Sequence, residues 1–402
     1  MLIREISYEL RKLTRLCKLE ALGINAIIFF LLMLLFGNTI FSSGYIISGD
    51  FSMPLFPKQF KAFFWPTWDE YQNASVMYSL PFLAYPSMLL IYFLVSTGIL
   101  SVVLALKLGW IVIPFFIGGN AFYYFIKKEF LQKMHQLGGY SSFIVAVYGV
   151  FIFLASPASL NLLVQSAAEF QTMTLFPLLL FLLKKSYTMN SKKFIVSAAL
   201  VLAMTLTNPN SVVISITVVL TFLAFHINLR NIIKTLAISL LSIAYSSFWI
   251  FPTFFSGPES SGFIVSNLFL QGKDIIPVLT GLAWYASPPV NYPLDYSILW
   301  LLPPMLAVIP LIVREKRSVE LRIILSLTAM LLLSISLIQG AKGIGEIFYV
   351  FISQYFGLFA ALFRVTYHFY SMYVLSVASL SSLGLAEILL TLTKSGKRWE
   401  KS

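Results

Sequence analysis

Three stretches lying between apolar runs hold the residues able to do chemistry. In the first, 42–77, Gly49-Asp50 precedes Pro54, Pro57, Trp65, Trp68, Asp69 and Glu70. An acid just above a bilayer, inside an aromatic-rich loop, can act as a base, because desolvation disfavours a bare carboxylate. Gly49 lets the backbone turn sharply or approach a ligand closely. The structural alternative is that Asp50 caps a short helix or pairs with Lys58 or Lys61. The second stretch, 253–295, is rich in Gly, Pro, Ser and aromatic residues, Tyr285 among them, and is too long for a simple turn. The third, 340–366, carries Lys342 and a very apolar run that ends at Arg364. The Arg364 fork matches a pair of anionic oxygens. Snorkelling to lipid headgroups explains it as well. Glu169 opens the apolar run EFQTMTLFPLLLFLL, at a depth where an acid needs a partner. A helix N-terminus alone supplies one.

Other chemistries find little support. Cys17 is the one cysteine, and His135, His226 and His368 are far apart, so thiolate zinc sites, iron–sulfur clusters and disulfides are excluded. Gly343-Ile344-Gly345 is no dinucleotide fingerprint, and no Walker, Gly-x-Ser-x-Gly or His-Glu-x-x-His motif occurs. Asn73-Ala74-Ser75 is a glycosylation sequon.

The elements that must position these residues are membrane helices. The 402 residues are 58% hydrophobic and only 11% charged, which excludes an ordinary soluble enzyme. The net charge of +12 comes from short basic clusters between apolar runs, a topology signal and not a nucleic-acid signature. Runs long enough to span lie at 21–41, 109–126, 142–156, 169–183, 194–208, 211–227, 232–252, 296–313, 321–339 and 367–391. With ten crossings and both termini inside, cytoplasmic segments collect 22 basic residues and the external face keeps six: Lys58, Lys61, Lys107, Lys273, Lys342 and Arg364. This places all three chemistry-bearing stretches outside. The stretch 78–106 must then dip into the outer leaflet without crossing. Pro81, Pro86 and Gly98 favour such a broken element. Residues 1–20 read as a cytoplasmic amphipathic segment rather than a signal peptide, 21–393 as one membrane domain, and 394–402 as a basic cytoplasmic tail.

The chain resembles the GT-C superfamily of polyprenyl-phosphate-dependent glycosyltransferases, in particular the membrane domain of the α-arabinofuranosyltransferase type. The residues that carry this are ordered along the sequence: Gly49-Asp50, QNASVMYSLPFLAYP, IVAVYGVFIFLASPA at 144–158, the acid-headed run 169–183, FWIFPTFF at 248–255 and FRVTYHF at 363–369. The resemblance implies an all-α, GT-C-like polytopic fold with external interfacial or re-entrant helices. It also implies transfer of a sugar from a polyprenyl-phosphate-linked donor to a glycan, lipid or protein acceptor at the external face of the cell membrane. Asp50 then matches the family's base. Arg364, with Lys342 or His368, would hold the donor phosphate, and Trp65, Trp68, Glu169, Trp249 and Tyr285 would line the cavity. His368 and Thr366 replace the lysine and proline of the family's last motif. No cofactor is implied; a divalent metal is possible but lacks a DxD pair, since Phe51 and Ser52 follow Asp50. A transporter or lipid flippase, and a non-catalytic subunit of the same fold, are the rival readings.

Overall fold

The computed structural model describes residues 2–42, 93–134, 137–165, 167–189, 191–206, 209–255, 275–280, 297–313, 321–340, 346–347 and 366–399. They are helical, with no strand among them. In chain order the helices are α1 (Leu2–Phe41), α2 (Val102–Lys107), α3 (Ile113–Glu129), α4 (Gly139–Ala155), α5 (Pro157–Gln165), α6 (Ala167–Thr188) and α7 (Lys192–Thr205). Then follow α8 (Pro209–Phe225), α9 (Leu229–Phe255), α10 (Ile275–Thr280), α11 (Leu302–Ile312), α12 (Leu321–Gln339) and α13 (Tyr370–Trp399). A π-helical turn, Leu108–Val112, joins α2 to α3.

Local sequence sets where these helices start and stop. Gly98 takes φ +73°, the left-handed region open to glycine at no steric cost, and breaks the chain between 93–96 and α2. Ser101 then caps α2, its hydroxyl accepting the Leu104 N–H at 3.3 Å. The part of 78–106 that is described is thus interrupted at the glycine, as the sequence suggests; residues 78–92 lie outside the described set. At Ser156-Pro157 the apolar run 139–163 bends by 44°. Pro157 lacks the N–H that α4 would need to continue, and the Ser156 hydroxyl accepts the Ser159 N–H to start α5. Gly340, at φ +64°, ends α12.

Four described stretches are long and apolar enough to cross a bilayer: Glu20–Phe41, Val103–Lys133, Leu321–Gln339 and Tyr370–Thr393. The bent pair α4–α5 makes a fifth if it counts as one span. Ten crossings are therefore more than these helices support by length and composition. Two further helices, α8 and α11, are apolar but short. An all-α membrane protein remains the fold class. The boundaries drawn at residues 20 and 394 fall inside continuous helices, α1 and α13.

The core forms where α13 meets α4, α11 and α12, and where α6 meets α3 and α7. Small residues bring backbones together there, as they must when lipid offers no hydrophobic incentive. A Cβ on Gly384 of α13 would collide with the Leu306 carbonyl of α11, and one on Gly149 of α4 would collide with the Ser382 hydroxyl. Ser371, Ser376, Ser379, Ser381 and Ser382 of α13 are all fully buried.

Ion pairs define one end of the bundle. Glu20 of α1 receives Tyr123 and Lys127 of α3, and Glu129 receives Lys184 of α6 and Lys133, the latter at 2.9 Å. Lys234 of α9 donates to the Ser186 and Met189 carbonyls at the end of α6. This is the lysine end. From Thr188 at this end, α6 rises about 29 Å to Glu169 near the other.

Candidate functional site

At that other end the first turns of three helices converge. Glu169 lies in the first turn of α6, Asn210 in the first turn of α8, and His368 in the 3₁₀ turn Thr366–Phe369 that leads into α13. The Glu169 Oε1 sits 3.2 Å from His368 Nδ1, and the Asn210 amide nitrogen lies 3.0 Å from Nε2. The imidazole thus lies between the two side chains, its Nδ1 edge toward the carboxylate and its Nε2 edge toward the amide. Glu169 is fully buried and His368 only 4% exposed. A carboxylate is favoured at a helix N-terminus.

A layer of hydrogen-bonding side chains surrounds the pair. The Thr172 hydroxyl donates to the Thr205 carbonyl at 3.1 Å and meets the Ser211 hydroxyl at 3.2 Å, tying α6 to α7 and α8. The Gln171 amide donates to the Gly109 carbonyl at 3.5 Å, inside the π-helical turn. Such turns leave a carbonyl without its regular partner, and side chains of neighbouring helices take it up. Two residues before Gly109, the buried Lys107 donates to the Ile40 and Ser42 carbonyls and to the Ser42 hydroxyl, the last at 3.0 Å. A cation at the C-terminus of α1 is favoured by its dipole. Ser42, Lys107, Gln171, Glu169 and His368 therefore belong to one end of the bundle.

Beyond His368 on α13, Tyr370 and Tyr373 donate to the Val278 and Leu279 carbonyls of α10. Tyr373, Ser156, Pro157, Thr280, Pro303 and Trp300 line a small cleft there. The Trp300 indole stacks on Phe151 with centroids 6.0 Å apart.

Of the residues singled out in the sequence, Glu169 and His368 are thus brought into contact. Trp249 falls within the last two turns of α9. Asp50, Trp65, Trp68, Tyr285, Lys342 and Arg364 lie outside the described residues. His368 lies beside Glu169 and Asn210, and Glu169 has the imidazole in addition to its helix N-terminus. Sequence reasoning missed Asn210, Gln171, Lys107 and Trp300. The available signals were Pro209 setting Asn210 into a first helical turn, and a lone lysine inside an apolar run. Among the described residues no three His, Cys, Asp or Glu side chains converge as metal ligands would.

No family model matches the chain, and no curated protein or solved structure was found to be similar to it. The GT-C resemblance therefore stands on the sequence motifs alone.

Proposed function

We propose that the chain is a multi-pass membrane glycosyltransferase of GT-C type, crossing the cell membrane ten times with both termini cytoplasmic. It moves a sugar from a polyprenyl-phosphate-linked donor to a glycan, lipid or protein acceptor at the external face. Asp50 takes the proton of the acceptor hydroxyl as that oxygen bonds to the anomeric carbon. The bond from that carbon to the phosphate oxygen breaks, and polyprenyl phosphate leaves with its charge met by Arg364 and Lys342. General-base help of this kind is worth typically 10²–10⁴-fold, and the cationic clamp acts on charge that grows in the transition state.

The observation that supports this reading is the shared end of the bundle. Asp50 follows Ser42, which Lys107 and Gln171 link to the level of Glu169, and Arg364 lies two residues before the turn that holds His368. Both segments thus leave the bundle at one end, as a common site requires. The Glu169–His368 pair would then act as a positioning device for the start of α13 and the arginine before it. A transporter would place ionisable groups near mid-helix. The buried charged side chains described, Lys107, Glu129, Glu169, Lys184 and Lys234, stand near helix ends.

Transfer from a radiolabelled polyprenyl-phosphate sugar in reconstituted membranes tests the proposal. Asp50→Asn abolishes turnover and keeps donor binding, Arg364→Ala weakens both, and the amides of Asp69 and Glu70 remain active. Wild-type turnover by Asp50→Asn overturns the assignment.

A further inference from the structure

Two adjacent lysine pairs, Lys127-Lys128 and Lys184-Lys185, are divided in the same way at the lysine end. The first member of each turns to a carboxylate, Lys127 to Glu20, with the Tyr123 ring also beneath it, and Lys184 to Glu129. The second lies over a ring one turn back on its own helix. The Lys128 ammonium is 5.8 Å from the Tyr124 ring centre, and that of Lys185 is 5.4 Å from the Phe181 ring centre. The two rings meet edge to face across the α3–α6 junction, with centroids 5.1 Å apart at 77°. Ammonium, ring, ring and ammonium thus form one continuous patch.

The patch opens outward, since Tyr124 is 42% exposed. Neither Lys128 nor Lys185 makes an ion pair among the described residues, and Glu20 and Glu129 are engaged by Lys127, Lys133 and Lys184. Helix dipoles account for lysines in a last turn. They give no reason for two such lysines to share an aromatic floor. A ring beneath an ammonium holds it in place at about 0.5–1 kcal/mol in an exposed setting. Aromatic side chains with basic neighbours at the end of a membrane-length helix, here Val103–Lys133, fit the depth at which headgroups begin.

We propose that this patch binds an anionic phospholipid, its phosphate held jointly by Lys128 and Lys185 with the Tyr124 phenol as a third donor. The division of labour is then complete: inward lysines neutralise the bundle's own acids, and outward lysines take up a lipid. The proposal is independent of the transferase reading.

The test is binding of a short-chain fluorescent phosphatidylglycerol to the detergent-solubilised full chain. Binding is saturable, and unlabelled phosphatidylglycerol displaces the probe while phosphatidylcholine and inorganic phosphate do not. Lys128→Gln with Lys185→Gln weakens it roughly thirtyfold, the effect of two surface lysines. Lys128→Arg with Lys185→Arg keeps it. Lys192→Gln with Lys193→Gln removes the same charge from exposed lysines that lie over no ring among the described residues, and binds like wild type. Equal weakening by the two glutamine pairs, wild-type binding by the first pair, or displacement by inorganic phosphate each overturns the site. If the first pair does not fold, Tyr124→Leu is read in its place: a severalfold loss supports the site and wild-type binding overturns it.

Discussion

The Glu169 carboxylate and the His368 imidazole stand 3.2 Å apart at the starts of two different helices, both shielded from solvent. The pair ties α6 to the turn that begins α13, and Asn210 adds α8 from the other side of the ring. Three helix starts are thereby fixed by one imidazole. A buried polar group needs its partners far more than a surface one does, because water cannot replace them.

Glu169→Gln and His368→Gln should each lower stability by about 2–5 kcal/mol, since each leaves the other member buried without its mate. The double substitution should cost less than their sum, with a coupling of about 1–3 kcal/mol. Thermal unfolding of the four proteins in one detergent measures this. Strict additivity would show that the two side chains do not interact.

Glu129 offers a contrast at the opposite end. It serves both Lys133 and the buried Lys184, so Glu129→Gln removes the charge that faces a buried cation, at a cost of about 3–5 kcal/mol. Lys133 is 32% exposed. Its replacement by Gln should change stability by about 1 kcal/mol or less. Denaturation of the two variants side by side decides between them, and equal losses would contradict the asymmetry.

Glycine substitutions separate close helix contact from helix propensity. Gly384→Ala places a methyl group against the Leu306 carbonyl, a backbone atom that cannot step aside, and should cost about 3 kcal/mol or more. Gly149→Ala meets the Ser382 hydroxyl and the Phe122 ring, which can shift, and should cost less. Gly37→Ala meets nothing, and in the helix interior should gain up to about 1 kcal/mol. Melting temperatures that do not follow this order would contradict the α11–α13 geometry.

Topology is open to labelling. In a variant with Cys17 replaced, a membrane-impermeant thiol reagent added outside should modify a cysteine at 262 and spare one at 188, the exposed end of α6. The reverse pattern would invert the orientation drawn from the 22-to-6 distribution of basic residues.

The sequence was informative where a single residue type has a single structural use. Gly98 was read as a break and takes a positive φ, and Glu169 stood out because an acid heading an apolar run must be accommodated. Partnership was another matter. Nothing local to FRVTYHF or EFQTMT says that His368 meets Glu169, because that contact depends on how α6 and α13 are placed side by side. Asn210 and Gln171 were hidden for the opposite reason: single amides near helix ends look like loop residues until a neighbouring helix shows what they bond. Crossing number was the least legible, since an apolar run of 15 to 17 residues reads alike as a short span and as a buried helix.

The central position of α13 bears on how the protein is made. This helix contacts α4, α6, α11 and α12, yet it is translated after all of them. Until it emerges from the ribosome, Gly149 and Leu306 have no serine or glycine to close against, and Glu169 waits in the bilayer without its histidine. The earlier helices must therefore persist as a loose, incompletely satisfied assembly throughout synthesis. Insertion of the helix that begins at Tyr370 is the event that closes these contacts.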